Sequence, residues 1–168
     1  MKKLLSVATV ATLLVTSANA VDNNRIEIMG NILAGAVVWI GDSQNTPLTA
    51  GNFIFEGNSV DLENMVLGED TIKSMPLSVR TNSTSGVKMT IEDATNNGNL
   101  ADGSKAKIAM SYKLDSLGDL TLGEAKSLVA GVNDGTTAID NFTVKATVPA
   151  DQEAGTYKTT LTVTIAAN

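Results

Sequence analysis

VDNNRIEIMGNI, residues 21–32, is the stretch on which the reading of the whole chain turns. Successive side chains of an extended strand point to opposite faces and repeat every ~6.8 Å along each face. Ile26, Ile28, Gly30 and Ile32 therefore share one face, and Arg25, Glu27, Met29 and Asn31 share the other. Chain termini usually fray, so a terminal strand with so clean an apolar face needs a groove to fill. The residues on either side bear on whose groove that is.

Residues 1–20 carry Lys2 and Lys3, an apolar run around Leu4–Val15 and then Ala18-Asn19-Ala20, the layout of a secretory signal peptide. The run is too short for a membrane span. Its removal is expected to leave 148 of the 168 residues, one ordinary domain with enough chain for a real core. That product keeps ten of the twelve basic residues and all eighteen acidic ones, for a formal charge of −8. Such a balance repels phosphate backbones and argues against nucleic acid as a partner.

The chain has no cysteine and no histidine. Without disulfides an exported fold relies on its hydrophobic core and backbone pairing. Lack of histidine removes the commonest general base near neutral pH and the commonest ligand for zinc or copper. Among carboxylates, Glu69-Asp70 and Glu92-Asp93 are adjacent pairs, but neighbours on a strand point to opposite faces, a poor start for a glycosidase pair. No calcium loop, phosphate loop or nucleophile elbow is present. Neither an enzyme nor a cofactor is expected.

Downstream of residue 33 the pattern has period two, broken by Gly, Asn, Asp and Pro, and predicts an all-β domain. Leu33–Ile40 (LAGAVVWI) is a continuous apolar run, suited to a strand buried on both faces. Phe53 and Phe55, then Val60, Leu62 and Met65, predict short strands. Pro76 is expected to start a strand in which Leu77 and Val79 face inward, and Asn82–Gly86 to turn it into a hairpin with Val87, Met89 and Ile91. Ile108, Met110, Tyr112 and Leu114 share one face of a further strand. Leu122, Ala125, Leu128 and Val129 have helical spacing between glycines and predict a turn or two of helix. Phe142, Val144, Ala146 and Val148 alternate up to Pro149. Tyr157, Thr159, Leu161, Val163 and Ile165 face one way along the last strand. Trp39 and Tyr112, the natural candidates for a sugar-stacking platform, sit in apolar patterns and are expected in the core.

Three stretches together resemble the major pilins of the colonization factor antigen family, the class 5 fimbriae of the alternate chaperone-usher pathway. VDNNRIEIMGNI resembles the family's N-terminal donor strand. VRTNSTSGVKMTIEDA (79–94) resembles the pilin hairpin, and EAGTYKTTLTVTI (153–165) is similar to the closing A-G-x-Y strand. The segment 41–74 departs most from the family pattern.

The resemblance implies an Ig-like antiparallel β-sandwich over residues 33–168 that lacks one strand of its own. Its open groove would be completed by donor-strand exchange, residues 21–32 of one copy entering the next. On that basis Ile26, Ile28 and Ile32 would fill groove pockets, with Gly30 at a shallow one. Tyr157, Leu161, Val163 and Ile165 would be core residues that also border the groove. The implied partners are other copies of the chain in a head-to-tail homopolymer, a periplasmic chaperone, an outer-membrane usher and a tip adhesin, with no host-cell receptor assigned. The implied destination is a fimbrium on the cell surface. The alternative reading is a monomeric secreted carbohydrate-binding sandwich, or a minor or tip adhesin subunit. The 148 residues leave room for only one domain.

Overall fold

Five consecutive apolar residues form β1 (Ala36–Ile40), second from one edge of the larger sheet, and every one of them is buried. The computed structural model describes residues 32–41, 46–57, 59–129 and 133–168, and within it Ala34–Asn168 form one compact unit. β1 lies between β2 (Phe53–Glu56), to which it is parallel, and β3 (Asp70–Thr81), to which it is antiparallel. β3 pairs on its other side with β8 (Asn133–Thr147), β8 with β5 (Ala109–Leu114), and β5 with the two-residue β6 (Gly118–Asp119). The order is β2-β1-β3-β8-β5-β6. The second sheet has β4 (Val87–Glu92) at its centre, between β7 (Ala125–Val129) and β9 (Thr162–Ala167). No helix occurs among the described residues.

The two sheets form a sandwich whose single main core takes side chains from both. Val38, Leu77, Val79 and Leu114 come from the larger sheet, and Val87, Met89, Ile91 and Ile165 from the smaller one. Each such side chain contributes about 1.5–3 kcal/mol by leaving water. Tyr112 and Phe142 stack at 6.3 Å between centroids. Trp39 is 1% exposed on the opposite face of β1, under the Arg80 guanidinium at 5.8 Å.

The structure corrects several expectations, and Val60–Met65, expected as short strand, is irregular chain. Asn82–Gly86 does turn the chain, but β3 and β4 lie in different sheets and form no hairpin, so the turn carries the chain across the sandwich. The stretch with helical spacing is partly strand, β7, because Ala125–Val129 pairs with β4 and backbone pairing overrides a weak local periodicity. Pro76 lies inside β3 rather than at its start. It is tolerated because β1 stops opposite Leu77. The Pro76 carbonyl still accepts from the Gly41 amide at 2.8 Å on that side, where the ring nitrogen has nothing to donate. Finally, the sandwich is not wholly antiparallel, since β1 and β2 run together.

Strand directions define two poles. At the upper pole β1 begins opposite Phe53 and Thr81, and Asn168 ends the chain, its amide bonded to the Gly86 carbonyl. At the lower pole Asp70 meets Thr147, which in turn meets Ala109. The entry into β1 is tightly held. Gly35 donates to Asn82 Oδ1 at 2.7 Å, its carbonyl accepts from Thr81 Oγ1, and a Cβ at position 35 would lie 2.5 Å from the Thr49 carbonyl oxygen.

Candidate strand-accepting groove

β2 and β9 each have one paired edge and one bare edge among the described residues, and the bare edges face each other across the side of the sandwich. The hydrogen-bond parity shows which backbone groups are left over. Ala36 donates to the Asn52 carbonyl, so Asn52 and Ile54 serve β1 while the amides and carbonyls of Phe53 and Phe55 point outward. The Asn168–Gly86 bond continues the β4–β9 register, so Thr162, Thr164 and Ala166 serve β4 and the groups of Val163 and Ile165 point toward β2.

Below this pair the gap opens into a groove of about 600 Å³. One wall continues from Phe55 through Val60, Leu62 and Met65. The other descends from Val163 through Leu161 and Thr159 to Tyr157. The floor is the inner face of the larger sheet, with Ile40, Met110, Tyr112, Phe142 and Val144, and Leu100 at the bottom. Charges stay at the rim. Asp61 and Glu63 lie on one side and Lys158 on the other, with Glu63 held by Lys73 at 3.2 Å. From Tyr157 to Val163 is six residue steps, about 20 Å of extended chain. Higher up, Cα atoms of β2 and β9 come within 8 Å of each other. A strand seated between two others holds them about 9.6 Å apart, so the ready-made room lies below Phe55 and Val163.

One loop touches both floor and wall. After β4 the Asp93 carboxylate accepts the amides of Thr95, Asn96 and Gly98 at 2.8, 2.9 and 3.0 Å, and the Thr159 hydroxyl at 2.5 Å. Burial alone would disfavour its charge. The bonds from Thr159, Asn96, Thr95 and Gly98 outweigh that and lower its pKa to about 2. The Gly98 carbonyl accepts from the Tyr112 hydroxyl at 2.5 Å. Burial, with the Asp93 charge adding to it, pushes Tyr112 up to about 12, so it stays a neutral donor. Gly98 has φ +76°, and a Cβ there would lie 2.9 Å from Leu122 and 3.3 Å from Tyr112.

Of the residues singled out in the sequence, Tyr157, Leu161 and Val163 line the groove, and Ile165 is buried in the core above it. Ile32 is described and 87% exposed, whereas Ile26, Ile28 and Gly30 lie outside the described residues. Val60, Leu62 and Met65, expected in a short strand, lie instead on irregular chain that forms one wall, and the floor residues were assigned only to the core. Asp70, from the first carboxylate pair, accepts from Thr147 and Lys145, and those bonds hold its pKa below the usual carboxylate range. The described residues include no group of three or more His, Cys, Asp or Glu arranged to hold a metal ion.

No family model matches the chain, and no curated protein matches it. Among solved structures it is similar, at a TM-score of 0.41 and 16% identity, to a chain in the crystal structure of the CsuC–CsuE chaperone-tip adhesion subunit pre-assembly complex from archaic chaperone-usher Csu pili of Acinetobacter baumannii. The match covers 79% of this chain and 40% of that one, so this chain spans about two fifths of its neighbour's length.

Proposed function

We propose that the chain is a fimbrial subunit that polymerises by donor-strand exchange, residues 21–32 of one copy filling the groove of the next. The observation that carries this reading is the slot itself, apolar on its floor, opening below the bare edges of β2 and β9, with residues 159–161 of one wall sharing no backbone hydrogen bond with a neighbouring strand among the described residues. Backbone groups of that wall would pair with an added strand, and the floor would take its alternate side chains. The dimensions agree. Ile26 to Ile32 is six residue steps, as is Tyr157 to Val163, so three isoleucines and Gly30 match the length of the groove. Left open, such a slot exposes apolar surface and strand edges, which favours aggregation. A periplasmic chaperone that occupies it before an outer-membrane usher hands over the donor strand fits that hazard and the family resemblance.

A head-to-tail contact of this kind does not close on itself and propagates as a filament. A carbohydrate-binding reading finds less support, because Trp39 and Tyr112 are buried and stack on nothing from solvent.

The test is assembly of the secreted chain and of Ile28→Asp, followed by electron microscopy and by melting of the domain. Filaments from the unaltered chain, and none from an Ile28→Asp chain that remains folded, are expected. Filaments formed equally well by both would overturn the reading.

A further inference from the structure

Resting on the donor-strand reading, we propose that Asp93 is a positioning residue of the groove, setting through Thr159 the place of the wall along which the incoming strand pairs. The wall needs such a tie. Between the Lys158–Ala101 bridge and the first β4–β9 pair at Thr162, residues 159–161 share no backbone hydrogen bond with a neighbouring strand among the described residues. Nothing in the sheet ladder fixes how far this stretch stands from the opposite wall. The side-chain bond from Thr159 to Asp93 does, at the start of the stretch that has no ladder.

Asp93 is suited to the task because it is itself immobilised. Three backbone amides of its own loop point at the carboxylate, and a charged acceptor makes each of those bonds and the Thr159 bond shorter and stronger than a neutral pair. The same loop is anchored to the floor. The Gly98 amide binds Asp93 and the Gly98 carbonyl takes the Tyr112 hydroxyl. Floor and wall are thus referred to one six-residue loop, 93–98, whose two hydrogen bonds act beside the packing of Leu161 and Val163 on the core. An incoming strand then finds the Thr159–Leu161 edge already in place and has less of the wall to order on binding.

The experiment uses the full chain carrying Ile28→Asp, which keeps its groove and cannot fill a neighbour's, and a fluorescent synthetic peptide of sequence VDNNRIEIMGNI. Thr159→Val keeps the side-chain shape, removes the hydroxyl and leaves the Asp93 loop its three amides. The expected result is peptide dissociation up to roughly tenfold faster, the ceiling set by one hydrogen bond to a charged group, together with a modest fall in the melting temperature of the peptide-free chain, where the bond is already made. Asp93→Ala should speed dissociation at least as much. The double variant should be no faster than Asp93→Ala alone, since both changes remove the same bond. Asp93→Asn, whose amide can still reach Thr159, should recover part of the loss. Unchanged dissociation in Thr159→Val would overturn the positioning role, as would a fall in melting temperature with no change in dissociation, which marks a purely structural bond. Failure of the unaltered groove to take up the peptide at all overturns the donor-strand reading itself, and so the two failures are told apart.

Discussion

Leu161→Asp separates an empty groove from a filled one by charge. Leu161 is half-buried, packs on the main core and lines the groove wall above Thr159. With the groove empty, an aspartate here reaches water and the domain loses only part of one leucine's burial, about 1 kcal/mol. With a strand seated, the carboxylate is enclosed between that strand and a floor of Phe142, Val144 and Tyr112, and it escapes only by taking a proton. Protonating a carboxyl of ordinary pKa ~3.9 at pH 7 costs about 4 kcal/mol, or roughly 1,000-fold in affinity. The sign follows from the bound state having the raised pKa. The penalty is absent below the free value near pH 4 and grows about tenfold per pH unit above it. The assay is fluorescence anisotropy of the labelled 21–32 peptide on the Ile28→Asp chain from pH 7 to pH 4, with Leu161→Asn as the neutral control. The expected result is a defect of about 1,000-fold at pH 7 that shrinks to the level of the asparagine variant by pH 4. A defect that does not change with pH, or peptide uptake equal to that of leucine at pH 7, refutes the placement of Leu161 in the occupied groove.

Other expectations follow from features outside the floor. Because the folded pKa of Asp93 is lowered to about 2 from a reference value of 3.8, its stabilisation is present above about pH 4 and lost as the pH falls toward 2. Asp93→Asn should flatten melting temperature against pH in that window, and an unaltered slope would contradict the assignment. Gly35→Ala sets a methyl 2.5 Å from the Thr49 carbonyl oxygen and should cost about 1–3 kcal/mol in thermal or denaturant melting, where a neutral result would show that the β1 entry can shift. The assembled fibre is expected to turn over no glycoside, ester or peptide and to ignore chelators. Turnover abolished by Glu92→Gln or Asp93→Asn would overturn the non-enzymatic reading.

Much of the fold was legible because a half-buried strand writes its environment into alternate positions. Val87, Met89 and Ile91 and the run Tyr112, Leu114 alternate as written and are buried as written. Tyr157, Leu161 and Val163 could be found for the same reason. What alternation lacks is any record of which sheet a strand joins. Asn82–Gly86 therefore reads as a hairpin turn whether the chain doubles back or crosses the sandwich. The lower half of β3 was missed because a proline usually marks a strand end, and here the neighbouring strand ends instead. Leu122, Ala125 and Leu128 read as helix because a short edge strand needs few apolar residues to pack. Val60 and Leu62 read as strand because they are two apart, yet this wall is irregular chain that places its side chains by tertiary contact.

The position of β1 has a mechanical consequence. It is held on both sides, by β2 in parallel and β3 antiparallel, and the segment before Ala34 leads straight into it. A pull along β1 meets hydrogen bonds on both flanks that lie across it. They are loaded together in shear instead of being opened one at a time. The pull must also free Val37, Trp39 and Ile40 from buried sites in the same step. Rupture under load is governed by the unfolding barrier rather than by equilibrium stability. A chain with no cysteine to cross-link it thereby gains tensile strength from topology, and on this reading each domain gives way at β1 only after its bonds on two sides fail at once.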